Sequence, residues 1–309
     1  MKIIYGLDNI PSFSAQTVLS IGNFDGIHLG HRKILHFLHQ RAKKLHFPSS
    51  VVIFSPHPQN VLGKDKISMI QTIDQKIESI KEFQVDTLFI VHFDHHFAQV
   101  SAEDFVVNIL VNTLHAKEII VGDNFFFGKN REGNIDMLHT LCSSYGFRVF
   151  SIPSVLKNRE IVSSSKIRQY LEAGAIEKAN ILLGRSYRIS GHVIKGRSKG
   201  KTLGFPTANI QTSNELLPSG VYLTQTEVKG KFFPSLTNIG TNPTFQQDKT
   251  HIETYLIGFD QDLYGKELEI CLLKKLRNEI RFDSPEELKQ QIELDLQHAK
   301  SYFHLNMDS

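Results

Sequence analysis

A ten-residue run, Gly22-Asn23-Phe24-Asp25-Gly26-Ile27-His28-Leu29-Gly30-His31, places three glycines and two histidines just after a β-branched stretch and just before an amphipathic one. Glycines let an anion approach the backbone closely. A helix start offers free N–H groups and partial positive charge. His31, Arg32 and Lys33 crowd the first turn of that helix, the end where cations are disfavoured by roughly 0.3–1 kcal/mol each. An anion bound there would offset this cost. Imidazoles at His28 and His31 can donate hydrogen bonds to a phosphate as its charge builds in a transition state. Gly22, Phe24, Asp25, Gly26 and Gly30 are the remaining candidate phosphate contacts of this loop. Taken alone, the run also reads as a glycine-rich turn with surface histidines.

Ser163-Ser164-Ser165-Lys166-Ile167-Arg168 opens another helix, again with cations in its first turn. A serine N-cap accounts for it singly. Beside the first loop, Ser164, Ser165, Lys166 and Arg168 read as holding further phosphates. A third candidate lies in Gly200-Lys201-Thr202-Leu203-Gly204-Phe205-Pro206-Thr207-Ala208-Asn209, preceded by Gly196. Pro206 stiffens the chain before Thr207. Thr207 and Asn209 offer hard oxygen ligands suited to magnesium holding nucleotide phosphates. Gly196, Gly200 and Lys201 would face those phosphates.

The elements that must position these residues fall into two sets. Strands are predicted at Val18–Ile21, Val51–Phe54, Thr87–Val91, Glu118–Val121 and Arg148–Ile152, with amphipathic segments between them. One of these, Arg32 to Leu45, aligns Ile34, Leu35, Leu38, Ala42 and Leu45; another follows Ser101, a predicted N-cap. This rhythm predicts a parallel α/β sheet covered by helices on both faces. Helices are predicted at Lys166–Ala173 and Ile176–Leu183. From Tyr187 to about Leu276, short runs split by turn residues predict an antiparallel barrel or sandwich. Ser284-Pro285-Glu286-Glu287 carries a cap, a first-turn proline and a capping-box glutamate. The helix it opens should pack Leu288, Ile292, Leu296, Ala299 and Phe303 on the barrel. The expected domains are residues 1–183 and 184–309.

Composition agrees with this plan. The 309 residues suggest about two domains. An apolar fraction of 40% and a charged fraction of 22% are those of a globular chain. The net charge of +3 does not by itself choose between anionic small molecules and nucleic acid. Two cysteines, Cys142 and Cys271, form no disulfide framework or zinc motif. No apolar run reaches the ~18 residues of a membrane span, and the Met1–Gly6 run is too short for a signal peptide. The expected location is therefore cytoplasmic. The basic cluster Arg41, Lys43 and Lys44 reads as a solvated helix face. His92, His95 and His96 read as surface histidines rather than a metal site. Neither a nucleic-acid partner, a membrane nor an obligate protein partner is implied.

The runs GNFDGIHLGH, FSPHP (Phe54–Pro58), FDHHFA (Phe93–Ala98), VGDNFFFG (Val121–Gly128) and SSSKIR occur in this order. Together they resemble the FMN adenylyltransferase module of the bacterial bifunctional riboflavin kinase/FAD synthetases, within the HxGH nucleotidyltransferases. GFPTAN, SLTNIGTNPTF (Ser235–Phe245), IETYL, FDQDLYGK (Phe259–Lys266) and LRNEIRFDS (Leu276–Ser284) resemble the riboflavin kinase of the same family. The resemblance covers about residues 18–295. It implies a Rossmann-like N-terminal domain and a C-terminal six-stranded barrel with a terminal helix. It implies ATP-dependent phosphorylation of riboflavin to FMN, then adenylyl transfer from ATP giving FAD and pyrophosphate, with Mg2+ as cofactor.

By the family pattern, His28, His31, Ser164 and Arg168 contact ATP phosphates. Asn124, Phe125 and Phe127 fall in the nucleotide or flavin site of the first domain. Glu253 is the general base for the ribityl hydroxyl, and Arg277, Glu279 and Phe282 belong to the segment covering the flavin. The chain departs from the pattern at Lys195 and Arg197-Ser198-Lys199, a more basic loop than usual, and carries a third serine in SSSKIR where threonine is common. Two other readings are a kinase with an inactive or differently specific nucleotidyltransferase domain, and a non-catalytic flavin- or nucleotide-responsive regulator. Intact Glu253, His28, His31 and Arg168 argue against both.

Overall fold

The computed structural model describes residues 1–7, 16–196, 204–242 and 249–305. The chain divides into two compact units, Met1–Ser164 and Ser165–Ser309.

The first unit is built on a six-stranded sheet, all of whose pairings are parallel. Its strands are β1 (Lys2–Tyr5), β2 (Thr17–Ile21), β3 (Ser49–Ser55), β4 (Thr87–His92), β5 (Ala116–Gly122) and β6 (Arg148–Ile152). Their order across the sheet is β1-β4-β3-β2-β5-β6. The five strands predicted from sequence are present. The sixth, β1, was not foreseen: four residues at a sheet edge carry too little alternation to stand out.

Strand alternation sorts the core into two layers. Val18, Val51, Ile53, Leu88, Ile90 and Ile120 pack with Ile34, Leu35, Leu38 and Ala42 of α1 (Leu29–Leu45) and with Ile77 and Ile80 of α3 (Ile73–Lys81). The intervening residues Leu19, Val52, Phe89, Ile119 and Val121 face Leu138 of α5 (Ile135–Tyr145) and Phe105, Val106 and Leu110. The last three lie in a π-helix, Phe105–Thr113, that continues the short α4 (Ala102–Asp104) capped by Ser101. The short α2 (Pro58–Leu62) follows β3.

In the second unit, α6 (Ser164–Glu172) and α7 (Ile176–Leu183) precede a closed antiparallel barrel. The barrel order is β10-β13-β12-β11-β14-β9, closed by pairing of β9 with β10. The strands are β9 (Tyr187–Ile194), β10 (Ala208–Thr212), β11 (Gly220–Val228), β12 (Lys231–Asn242), β13 (Lys249–Leu256) and β14 (Glu267–Arg277). The barrel interior includes a hydroxyl ladder of Thr224, Thr226, Ser235, Thr237 and Thr254, bonded to one another and fully buried. The final helix α8 (Pro285–Tyr302) lays Leu296, Ala299 and the following Phe303 against Leu223 and Leu236. Ser284 caps it through the Glu287 N–H, while the Glu287 carboxylate accepts from Asp283 rather than from Ser284.

One sequence expectation is corrected here. Arg41 is not part of a solvated face, although Lys43 and Lys44 are exposed. Its guanidinium is doubly bonded to Glu118 on β5, a carboxylate only 1% exposed, and stacks 4.7 Å from the Phe150 ring centroid. A carboxylate inside a sheet must be paired, and the helix supplies the cation. Arg41→Ala strands that charge and is expected to cost about 3 kcal/mol, read as a lower denaturation midpoint. Lys43→Ala should leave the midpoint within about 0.5 kcal/mol of parent.

Candidate active sites

Strand order reverses between β2 and β5: successive strands run outward in one direction through β3 and β4 and in the other through β6. A crevice opens at the carboxyl ends of such a pair, and ligands bind there. The glycine-histidine loop leaves β2 and the Gly122–Gly128 segment leaves β5, so both border this crevice.

The loop is held in a strained shape. Phe24, Gly26 and Ile27 all have positive φ, at 47°, 89° and 39°; for a β-branched residue this is an outlier that its surroundings must enforce. Those surroundings are visible. The Asp25 carboxylate accepts the Ile70 N–H at 3.1 and 3.2 Å and the Gln71 N–H at 3.4 Å. The Asp25 carbonyl accepts from the Ser164 hydroxyl at 2.8 Å. Lys76, buried on the apolar side of α3, donates to the Asn23 carbonyl at 2.9 Å. Phe24 and Asp25 are 2% and 1% exposed. Their side chains thus shape the loop, and any phosphate contact at these two positions runs through backbone N–H groups.

His28 is the N-cap of α1, and its Nδ1 accepts the His31 N–H at 3.3 Å. An accepting Nδ1 puts the proton of a neutral ring on Nε2, making that atom a donor. The two imidazoles stack with centroids 3.6 Å apart. A Cβ on Gly30 would lie 3.1 Å from His28 Cε1, so Gly30 leaves the ring its room. No acidic residue occupies the first turn of α1, which leaves its positive end for an anion.

Across the crevice, the Phe125 N–H donates to the Gly122 carbonyl and forms a turn on which Asn124 is exposed. Asp123 ties this turn to the exit of β6 through the N–H and hydroxyl of Ser154. Burial raises the Asp123 pKa and these bonds lower it, with a net fall below the ordinary carboxylate value. The three phenylalanines part ways. Phe127 is 7% exposed and packs on Phe105, Phe125 is half-buried against Phe127, and Phe126 is 48% exposed with Arg131 over its ring. Phe54, Phe93, Phe97, Phe105 and Phe127 form a chain of ring contacts, so FSPHP, FDHHFA and VGDNFFFG share one aromatic seam. His95 and His96 are exposed, and no group of three His, Cys, Asp or Glu side chains among the described residues can hold a metal. Ser165 and Arg168 belong to α6 of the second unit, where Arg168 is buried.

On the barrel, Asn209 of β10 stands directly opposite Glu253 of β13. Opposed residues of antiparallel strands share a face. The Glu253 carboxylate has no hydrogen-bond or ion-pair partner among the described residues. Gly196 lies against Asn209: a Cβ there would be 2.0 Å from the amide nitrogen. Thr207 precedes β10 by one residue. Gly200 and Lys201, with Arg197, Ser198 and Lys199, lie outside the described residues.

The segment after β14 is anchored to α8. Arg277 makes a two-pronged bond to Asp295, at 2.7–3.1 Å, and Gln291 donates to the same carboxylate. Its side chain therefore has a tethering role. Phe282 lies 6.0 Å from the Arg277 guanidinium. Glu279 accepts from the Ser219 hydroxyl and folds over Gly240, where a Cβ would sit 1.9 Å from its carboxylate oxygen. Sequence reasoning missed Gly240 in this role, and also missed Lys76; a lysine among the apolar positions of α3 was the available signal for the latter. Both cysteines are free, and burial pushes the Cys271 thiol up to about 11. No described helix is long and apolar enough to cross a membrane.

Comparison with known proteins agrees with this layout. The FAD synthetase family model matches residues 10–166, and the riboflavin kinase family model matches residues 183–303. The chain is 41% identical to the bifunctional riboflavin kinase/FMN adenylyltransferase of Buchnera aphidicola from Acyrthosiphon pisum, over 99% of each chain. It is 37% identical to the Escherichia coli K12 protein of that name, again over 99% of each. A solved structure titled as a macrolide-efflux protein from Streptococcus pneumoniae superposes with a TM-score of 0.89 at 26% identity, covering 97% of this chain and 99% of that one. The chain belongs to the bifunctional riboflavin kinase/FMN adenylyltransferase family.

Proposed function

We propose that this chain makes FMN from riboflavin and ATP, and then FAD from FMN and a second ATP. The observation that carries this reading is that the two family models match separate segments, residues 10–166 with His28 and His31 and residues 183–303 with Thr207, Asn209 and Glu253. Residues 1–183 would perform adenylyl transfer and residues 184–309 the kinase reaction. The family bounds at 166 and 183 support that assignment; α6 and α7 group with the barrel unit.

In the first unit's site, an FMN phosphate oxygen attacks the α-phosphorus of ATP, and the bond to pyrophosphate breaks. Neither side needs a protein nucleophile, so positioning and charge stabilisation suffice. The Nε2–H of His28, the His31 imidazole and the free N–H groups of α1 would stabilise the charge that builds. Ser164, Ser165 and Arg168 would hold the leaving phosphates, with Asn124 and Phe125 on the flavin or nucleotide.

In the second site, Glu253 would take the proton of the ribityl 5′-hydroxyl as its oxygen bonds to the γ-phosphorus and ADP leaves. A carboxylate without a structural partner suits that task. Thr207 and Asn209 fit magnesium: both are oxygen donors unspent among the described residues, and Gly196 leaves room at the amide. Magnesium bound there would neutralise the charge of the transferring phosphoryl group. Glu279 and Phe282 would border the flavin, with Arg277 steadying them. Small anionic and flavin substrates, free thiols and ATP dependence support a cytoplasmic setting.

The test is a chromatographic time course with riboflavin, ATP and magnesium. FMN should appear first, followed by FAD and pyrophosphate; absence of any flavin product from folded protein would overturn the reading. Glu253→Gln should lower FMN formation by about 10²–10⁴-fold and leave adenylylation of supplied FMN intact. His28→Ala with His31→Ala should do the converse, lowering FAD formation by roughly 10²–10³-fold while riboflavin phosphorylation persists.

A further inference from the structure

Glu253 has a second polar neighbour, which lies within the SLTNIGTNPTF run but carries no assigned role there. Asn238 of β12 stands directly opposite it, on the side away from Asn209. The flanking residues fix the face. Thr237 and Ile239 are fully buried toward the barrel interior, and Leu236 packs with Ala299 on the outside. Alternation places Asn238 on that outer face, its Cβ roughly 5 Å from that of Glu253.

The amide has no structural employment. Asn238 Oδ1 is sealed from solvent and accepts no hydrogen bond; an acceptor left so costs about 1–3 kcal/mol. Asparagine is also a poor strand former. An apolar residue, as at Leu236 and Leu223 nearby, would serve the barrel better. The side chains of Asn209, Glu253 and Asn238 make no hydrogen bonds with one another, so three unspent polar groups run side by side across β10, β13 and β12.

We propose that Asn238 is a substrate-binding residue of the kinase site: it holds a hydroxyl of the flavin's ribityl chain, so that the terminal hydroxyl lies against Glu253. This rests on reading Glu253 as the base. Strand order supplies the argument. Asn209 flanks the base on the metal and phosphate side, and Asn238 flanks it on the other. In-line transfer puts the attacking and leaving oxygens on opposite sides of the phosphorus, so the acceptor approaches from the side away from the metal and phosphates, where Asn238 stands. The Asn238 amide nitrogen, unlike its sealed Oδ1, is open and has no bond among the described residues, and it can donate to a ribityl hydroxyl oxygen.

The experiment compares Asn238→Ala and Asn238→Ser with the parent full-length chain. Steady-state kinase kinetics are measured, together with binding of riboflavin and of lumiflavin, which keeps the ring but has no ribityl chain, by flavin fluorescence. Loss of one such bond should raise the riboflavin KM and Kd about tenfold or more, with the ATP KM within twofold and lumiflavin binding unchanged. Should the alanine variant not fold, by its melting transition, the serine variant decides. An unchanged riboflavin KM, an equal loss of lumiflavin affinity, or a fall in kcat alone would overturn the proposal. If Glu253→Gln also keeps kinase activity, the reading of the whole site fails with it. If Glu253→Gln is inactive while the Asn238 variants bind riboflavin like the parent, only the role of Asn238 fails.

Discussion

Strand order governs the first unit. Because β2 and β5 are neighbours whose successors lie on opposite sides, the loops leaving them diverge and cannot cover the gap between their carboxyl ends. The placement of both candidate phosphate-binding features follows from this. The β2 loop turns straight into α1, so the helix N-terminus points into the gap, and the β5 turn brings Asn124 to its other rim. An anion site made from backbone dipoles needs no buried cation of its own. It does need a backbone held in an unfavourable shape, and the Asp25 carboxylate provides this by binding two N–H groups of the 70–71 segment. Its burial makes those bonds strong, because a carboxylate taken out of water must be repaid by donors.

The barrel solves a different problem. A six-stranded barrel has a narrow interior, and here part of that space is filled by short hydroxyl side chains that satisfy one another. Ile252 and Thr254 point into that interior, so Glu253 between them stands on the outer face. There the covering is uneven. α8 seals the part around Leu223 and Leu236 with apolar contacts. Asn209, Glu253 and Asn238 lie outside that apolar contact, and Gly240 keeps the space that Glu279 enters.

Much of this was legible in the sequence for identifiable reasons. Buried parallel strands read as dense apolar runs, and α1 and α8 carried both periodicity and caps. The glycine-histidine loop was legible because its residue types contradict a plain helix start. Other features were hidden by physics that no local pattern carries. The threonines of β11–β13 alternate as a solvent-facing strand would, and only closure of the barrel turns them inward. Arg41 looked like one of several helix cations, and its partner Glu118 lies 77 positions away on a strand. Asp25 sat in the phosphate motif, yet its carboxylate works on a loop 45 residues downstream. Apolar periodicity reports which face is buried; it says nothing of which polar group is spent on structure and which is kept for a ligand.

That distinction separates the two sites. In the first, the Asp25 carboxylate of the motif binds backbone N–H groups, and the proposed chemistry falls to imidazoles and N–H groups of the loop it shapes. In the second, the polar groups are uncommitted. A protein that optimised stability alone would pair Glu253 or replace Asn238 with an apolar residue, because a buried acceptor without a donor weakens the fold. Polar groups that remain unspent side by side, in strand register, are expected where a ligand completes the hydrogen bonding. In the proposed kinase site the stability forgone is recovered as selectivity, since a flavin lacking the hydroxyls would leave the same groups unpaired.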